Sequence, residues 1–326
     1  MKLGFAMLNN LEVGDSVAIG KRAEDLGYDS VWFAEHNYSR DAATVCGVLA
    51  SMTNRVTIGP CVMPIFTRSA LLLANTFATL DEISGGRMVL GLGAGSRVLI
   101  RGQGIEYRKP LVALREYAEA CRAIWNGHGT HIDYDGEIVK LNEAELDFEP
   151  RRRRIPIWIG STGPKACELA GEIGDGVLLN AFLPASYIRS AMDWIRTGAE
   201  RAGRDISNGF DVSMIIIITT VAGSKEEAHE FLRPMLAVYL ARLPDVTRHT
   251  TAWPEYEALV AAVNATGGEA GKKFISDELI DDITICGTLD DCREGLKRFV
   301  DAGLNHPAIV GFGNVRGTME AMAPNA

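Results

Sequence analysis

Short apolar segments alternate with amphipathic segments along almost the whole chain. Strand-like segments cover residues 2–7, 30–34, 56–63, 88–92, 155–159, 176–179, 211–221 and 308–312. Segments with apolar residues at helical spacing cover residues 14–26, 42–52, 69–83, 164–173, 185–202, 225–241 and 289–302. Eight strands alternating with helices favour a closed barrel, because open sheets usually contain about five or six strands. We therefore predict an α/β fold, a (β/α)8 TIM barrel with insertions and a parallel eight-stranded sheet, with residues 1–326 as a single domain.

Two segments interrupt this alternation. Residues 126–154 lie before the fifth strand, at 155–159, and residues 134–137 within them predict a turn between two short strands. Residues 243–282 follow the helix predicted over 225–241 and mix loop residues with helical pieces. The second insertion is either a lid or a dispensable decoration, and we favour a lid because loops beyond about 15 residues are uncommon without a role.

Composition and charge exclude several classes of function. The chain is 47% hydrophobic and 23% charged, as in a globular protein, and no uncharged apolar run reaches the roughly 18 residues that a membrane span needs. Residues 1–6 enter a strand without the layout of a signal peptide, which predicts a cytoplasmic location. The net charge of −9 disfavours nucleic acid as a partner, because phosphate backbones recruit basic surfaces.

The cysteines and the short motifs exclude further classes. Six cysteines are scattered without a CxxC pair, so we expect them to be reduced and mostly buried. The chain contains no HExxH, GxSxG or P-loop motif, which argues against zinc hydrolases, serine hydrolases and P-loop enzymes. We predict no metal site.

The strongest candidate for chemistry is the apolar run at residues 31–36. It follows a helix that ends at Gly27, which is typical of a buried parallel strand, so Glu35 and His36 should lie at its carboxyl end. That end carries the chemistry in α/β folds. A lone histidine is nevertheless more often structural than catalytic, and the pattern leaves both roles open.

Two glycine-rich segments follow predicted strands. Residues 91–96 match the dinucleotide fingerprint only in part, since its third glycine and its acidic partner are missing; glycines here would let a flat ligand approach the backbone. Residues 160–165 lead into a helix with Pro164 at its first position. Its free N–H groups and Lys165 suit a phosphate, and the alternative is a capped helix with a solvated lysine.

Two further segments have ambiguous roles. Pro60 and Pro64 predict an irregular backbone at the end of the third strand, where Cys61 is either a nucleophile or, more in keeping with the absence of a nearby histidine, a small buried filler. The four arginines at residues 151–154 precede the fifth strand, and we expect a solvated face at the end of the barrel opposite the phosphate.

These residues together resemble the luciferase-like monooxygenase superfamily, and within it the branch of F420-dependent methylenetetrahydromethanopterin reductases. The matching segments are WFAEH at 32–36, RDA at 40–42, GPCV at 59–62, TR at 67–68, SGGRMVLGLG at 84–93, KPL at 109–111, REY at 115–117, GPK at 163–165, AGEIGDG at 170–176 and CGT at 286–288. The resemblance covers nearly the whole chain.

The resemblance implies a barrel with the cofactor ring at the carboxyl ends of the strands, beside a cis peptide bond between Cys61 and Val62. It implies a catalytic pair, His36 and Glu35, with glutamate where the superfamily usually has aspartate. The cofactor-binding residues that it implies are Cys61, Val62, Gly93, Ala94, Gly95, Ser96, Gly160, Ser161, Thr162, Gly163, Lys165 and Asn180.

The implied function is that of an oxidoreductase that transfers a hydride between the deazaflavin coenzyme F420 and a small organic substrate, for which a methylenetetrahydromethanopterin-like compound is one candidate. The alternatives are an FMN-dependent monooxygenase and a non-catalytic flavin- or deazaflavin-binding protein. Ser96 stands where sugar-phosphate dehydrogenases of the superfamily carry glutamate, and Ala6 where archaeal methanopterin reductases generally carry an acid. The resemblance also implies a homodimer, with no nucleic acid or membrane partner.

Overall fold

The fold is built around a parallel barrel. The structure, a computed structural model, describes residues 1–8, 11–35, 39–220 and 224–325. In chain order the strands are β1 (Gly4–Met7), β2 (Ser30–Phe33), β3 (Thr57–Pro60), β4 (Met63–Pro64), β5 (Leu90–Gly93), β6 (Ile132–Asp135), β7 (Lys140–Ala144), β8 (Ile157–Ser161), β9 (Gly176–Leu179), β10 (Asp211–Thr220), β11 (Ile285–Gly287) and β12 (Ala308–Gly311).

The strands of the barrel follow the order β3-β2-β1-β12-β10-β9-β8-β5-β4. The third barrel strand is broken into β3 and β4, and an isolated bridge between Ile58 and Met88 joins β3 to the segment before β5, so the two ends of the sheet meet. This arrangement confirms the predicted (β/α)8 barrel. The short strand β11 pairs with the carboxyl end of β10 and was not predicted, because three residues are too few to show a periodic pattern.

Helices cover the outside of the barrel. They are α1 (Val13–Asp25), α2 (Ala42–Met52), α3 (Ala70–Ser84), α4 (Arg97–Gly102), α5 (Pro110–Asn126), α6 (Pro164–Ile173), α7 (Ala185–Arg201), α8 (Lys225–Arg242), α9 (Pro244–Thr247), α10 (Tyr256–Thr266), α11 (Gly268–Gly271), α12 (Asp277–Ile283), α13 (Leu289–Asp301) and α14 (Val315–Ala321). Residues that ordinarily mark helix ends do so here. The Asp41 carboxylate caps the amino terminus of α2, and Gly85 ends α3 with a φ of 73°.

The first insertion is an antiparallel hairpin of β6 and β7, as the turn at residues 134–137 predicted. It folds back onto α5, where the Glu116 carboxylate accepts hydrogen bonds from the backbone N–H groups of Glu137, Ile138 and Val139 at 2.7, 2.7 and 2.8 Å. Burial on its own would raise the pKa of Glu116, but these three bonds outweigh it and lower the pKa.

Aromatic side chains fill the amino-terminal part of the barrel. The rings of Trp32 and Trp158 lie 4.8 Å apart, and His306 meets Trp158 edge-on at 5.2 Å. A side chain at Gly59 would place its Cβ 2.6 Å from the Trp32 ring, so glycine is needed to admit the indole. The Ser30 hydroxyl joins the group through a 2.8 Å contact with His306 Nε2.

The arginines at residues 151–154 are not a uniformly solvated face. Arg152 binds the carboxylate of Asp81, which is 0% exposed, through Nε at 2.9 Å and Nη2 at 2.5 Å. Arg154 is largely exposed but pairs with Asp175 at 2.6 Å. Both line a cavity of about 610 Å³ at the amino-terminal end of the barrel, next to Lys2. The expectation of a solvated face is therefore wrong for Arg152, whereas the segment does lie at the expected end of the barrel.

Two further expectations concern the membrane and the cysteines. Within the described ranges, every helix is too short or too polar to cross a bilayer. All six cysteines are free, five are buried, and Cys61 is half-buried. The prediction that the cysteines are mostly buried is confirmed.

Candidate active site at the carboxyl end of the barrel

The predicted site residues follow successive barrel strands. Glu35 comes after β2, Cys61 and Val62 separate β3 from β4, Gly93 ends β5, Ser161 ends β8, and Asn180 follows β9. Because the strands are parallel, all of these positions lie at one end of the barrel. His36 lies outside the described residues.

Val62 is the centre of a close-packed group of three predicted cofactor contacts. The peptide bond between Cys61 and Val62 is cis. A Cβ atom on Gly93 would lie 2.3 Å from Val62 Cγ2, and one on Gly160 would lie 2.9 Å from Val62 Cγ1. The two glycines therefore make room for the side chain of Val62, which is partly buried.

This packing gives a testable prediction about Gly93. We expect Gly93→Ala to lower the free energy of unfolding by about 1–3 kcal/mol, because the added methyl group overlaps the Val62 side chain. Chemical denaturation monitored by circular dichroism measures the change. Gly14→Ala is the control, since open space surrounds that position near the start of α1 and the added methyl group should not lower the stability there. Equal stability of Gly93→Ala and the wild type would contradict the packing.

The loop before α6 presents an uncapped helix end. Pro164 occupies the first turn, and no side chain caps the amino terminus of α6. Gly163 adopts a φ of 140°, which side chains rarely allow, with open space where a Cβ would stand. The Ser161 hydroxyl is turned inward and donates to the Ala166 carbonyl at 3.0 Å. The free N–H groups and the exposed Lys165 create a positive end that suits an anion.

Tyr187 on α7 lies beneath this helix end and was not among the predicted site residues. It is 4% exposed, and burial, together with the neighbouring Cys167 thiol, raises the pKa of its hydroxyl. The His249 ring of the second insertion lies 4.6 Å from the Tyr187 ring. The insertion thus contacts α7, which packs against the helix α6 that carries the predicted phosphate contacts, although the lid remains a prediction. Only the tertiary contact identifies Tyr187, because α7 carries no motif in the sequence.

The remaining predicted contacts lie around the same end of the barrel. Ala94 and Gly95 are partly buried and lead into Ser96, which is exposed before α4. A Cβ on Gly95 would lie 3.0 Å from Pro64, so this turn packs against β4. Thr162 is partly buried. The side-chain oxygen Oδ1 of Asn180 accepts a hydrogen bond from the Ala181 N–H at 2.9 Å.

Glu35 binds the amino terminus of α2 rather than pointing free into the site. Its Oε2 accepts from the Ala42 N–H at 2.7 Å, and burial raises the pKa of its carboxyl group. Arg68 forms an ion pair with Asp41 and approaches Met63 Sδ at 3.1 Å. Glu35 is therefore bound to the start of α2, and Asp41 is bound to Arg68.

Cys61 does not have the properties of a nucleophile. Burial raises the pKa of its thiol to about 12, so the thiolate is scarce at neutral pH. Its position beside Val62 fits the interpretation as a small filler, and contact with a cofactor remains a prediction.

Comparison with known proteins identifies the family. The family model described as luciferase-like monooxygenase matches residues 2–306. The chain belongs to the luciferase-like monooxygenase family. The 5,10-methylenetetrahydromethanopterin reductase of Archaeoglobus fulgidus is 35% identical to this luciferase-like protein over 310 residues, which cover 93% of this chain and 91% of the relative. The resemblance inferred from the motifs is confirmed.

Two further relatives of this luciferase-like protein carry F420 in their names. The putative coenzyme F420-dependent oxidoreductase of Mycobacterium tuberculosis is 30% identical over 302 residues, 86% of each chain. The structure of the coenzyme F420-dependent tetrahydromethanopterin reductase from Methanopyrus kandleri superposes with a TM-score of 0.86 at 23% identity, covering 100% of this chain and 98% of that one. At that identity the superposition supports the barrel fold alone.

Proposed function

We propose that this protein is an oxidoreductase that transfers a hydride between coenzyme F420 and a small organic substrate. The observation that carries the proposal is the joint placement of Val62, its two glycine neighbours and the uncapped end of α6 at the carboxyl end of the barrel. This arrangement offers a surface for a flat ring beside a positive site for a phosphate. The F420-dependent relatives supply the identity of the cofactor.

The residues present fit this cofactor, which supplies a hydride donor or acceptor at its deazaflavin ring when bound. Val62 and the adjoining Gly93 and Gly160 would hold the ring against the strand ends. The first-turn N–H groups of α6 and the Lys165 ammonium would bind the phosphate, with Gly163 keeping the approach open. The rigid strand ends would orient the ring toward the substrate, which is the main requirement of hydride transfer.

The substrate is proposed only as a class. The Archaeoglobus relative is named for methylenetetrahydromethanopterin, which makes that compound the first to test. Ala6, on β1, is 2% exposed and pairs with Trp32, so it brings no carboxylate to the position where archaeal reductases generally carry an acid. A substrate that needs no proton from a residue on β1 would therefore suit the site as well as methylenetetrahydromethanopterin would.

A cofactor titration tests the proposal. We expect F420 to bind and FMN to bind more weakly when the two are titrated side by side by fluorescence. Lys165→Ala should weaken F420 binding about 5- to 150-fold, equivalent to roughly 1–3 kcal/mol for a charge-assisted contact with phosphate. The control is Lys297→Ala, an exposed lysine on α13. Preference for FMN would favour a flavin-dependent monooxygenase, and binding without hydride transfer to any of a panel of substrates would favour a non-catalytic protein.

We also infer that the protein is a homodimer in the cytoplasm. The helix α2 carries no charged residue, yet its Val48 and Met52 are 37% and 45% exposed. Leu72 and Ile83 on the neighbouring α3 are 53% and 48% exposed. Exposed apolar side chains on neighbouring helices are typical of a surface that a second copy covers. Light scattering should give twice the mass of 35.3 kDa.

A further inference from the structure

Three metal-ligand side chains meet outside the candidate active site, where α8, α12 and β11 join. They are His229, Asp281 and Cys286, and their ligand atoms all lie within 4.8 Å of one another. His229 and Cys286 are 5% and 4% exposed, and Asp281 is half-buried. We propose that this cluster binds a divalent transition-metal ion of the zinc class.

The donor set supports this class of ion. An imidazole nitrogen, a thiolate sulfur and a carboxylate oxygen are the ligands that Zn²⁺ uses in proteins, and three of them leave a fourth position for water. His229 Nε2 lies 2.9 Å from Asp281 Oδ1. Two such ligands on a tetrahedral zinc ion lie about 3.3 Å apart, so a small outward movement would admit the ion.

Asp277 gives His229 the orientation of a metal ligand. One of its carboxylate oxygens lies 3.0 Å from His229 Nδ1. A carboxylate on the second ring nitrogen fixes the ring and the tautomer of a metal-binding histidine, which leaves Nε2 to face the ion. Arg233 forms an ion pair with the same oxygen of Asp277, so the carboxylate is itself positioned.

A cavity gives the ion a route to the cluster. Asp281 lines a cavity of about 580 Å³ whose wall also contains Glu255, Glu278 and Asp282. Acidic side chains outnumber the basic Lys273 and Arg298 in this wall, and such an excess attracts cations.

Two features oppose binding and make the proposal testable. Lys225 Nζ lies 2.8 Å from Asp281 Oδ2, where its ammonium repels an incoming cation. Burial raises the pKa of the Cys286 thiol to about 12, so the ion has to displace its proton, as metal ions do at thiol ligands. The sequence shows no metal motif because 52 residues separate His229 from Asp281.

Cobalt serves as the spectroscopic probe. The full-length protein, first treated with a chelator, is titrated with Co²⁺ and then with Zn²⁺. We expect one equivalent of Co²⁺ to bind with a near-ultraviolet thiolate-to-cobalt band, and Zn²⁺ to abolish that band. Asp277→Asn should weaken binding about 10- to 100-fold, the usual cost of losing such a supporting carboxylate. Lys225→Met, at a side chain that is 42% exposed, should tighten binding several-fold.

Cysteine variants test whether Cys286 is a ligand of the ion. Cys286→Ser should lose the thiolate band, whereas Cys292→Ser, at another buried cysteine, should keep it. Circular dichroism establishes that both variants are folded. The absence of a thiolate band in the wild type, a band that survives Cys286→Ser, or Co²⁺ affinity that Lys225→Met leaves unchanged would overturn the proposal.

Discussion

Replacing His36 with asparagine is expected to lower the rate of F420-dependent hydride transfer by about 100-fold or more, the usual contribution of a positioned proton-transfer group. The affinity for F420 should change far less, because an interaction made only in the transition state acts on the chemical step. Single-turnover kinetics measure the first quantity and fluorescence titration the second. A parallel loss of rate, affinity and thermal stability would show instead that the histidine is structural.

Glu35→Gln is the matched control for this prediction. The side-chain carbonyl oxygen of the glutamine can still accept a hydrogen bond from the Ala42 N–H, which now binds Glu35 Oε2 at 2.7 Å, so residue 35 should stay bound to α2. If Glu35 only positions His36, this variant should retain most of its rate. A loss as large as that of His36→Asn would show that the Glu35 carboxylate takes part in the chemistry.

Arg152→Gln is expected to lower the free energy of unfolding by about 3 kcal/mol, because it leaves the buried charge of Asp81 without its partner. Asp81 also accepts the Met88 N–H at 3.2 Å, so the loss should disturb the entry into β5. Denaturant unfolding measures the effect. The affinity for F420 and its salt dependence should stay nearly unchanged, because Arg152 lies at the opposite end of the barrel from the proposed phosphate site.

Two further variants test whether the ion pair between Arg152 and Asp81 is itself the cause of the stability change. The double variant Arg152→Gln, Asp81→Asn should recover part of the lost stability, since the buried charge is then absent. Arg151→Gln, at the exposed neighbouring arginine, should change stability by less than about 0.5 kcal/mol. Equal stability of all four proteins would contradict a structural role, and weaker F420 binding by the folded Arg152 variant would contradict the separation of the two ends.

Local chemistry accounts for the elements that the sequence predicted well. The bounds of α2 and α6 match the predicted helices, because Asp41 and Pro164 mark where each begins. The third strand was predicted as one run of residues 56–63, but it is divided around Cys61 and Val62. The prolines on either side indicated an irregular backbone, whereas the division between β3 and β4 depends on pairing with other strands.

Tertiary contacts decided what the motifs left open. The neighbours of Val62 come from β5 and β8, and Tyr187 reaches Cys167 from a different helix. Arg152 binds the buried carboxylate of Asp81, which is 71 positions away in the chain. One of the four consecutive arginines is therefore held by a tertiary ion pair. A local sequence pattern cannot identify any of these partners.

By itself the sequence determined the alternation of strands and helices, the family and the edge of the barrel where the predicted site residues lie. This was possible because periodicity and helix signals are local, and because parallel strands all end at one side of the sheet. Only the tertiary structure decided that Glu35 is bound to Ala42, that Arg152 neutralises Asp81, and that His229 faces Asp281. Glu35 and Ala42 are only seven positions apart, but the other two contacts join residues 71 and 52 positions apart, and the packing of the whole fold selects them.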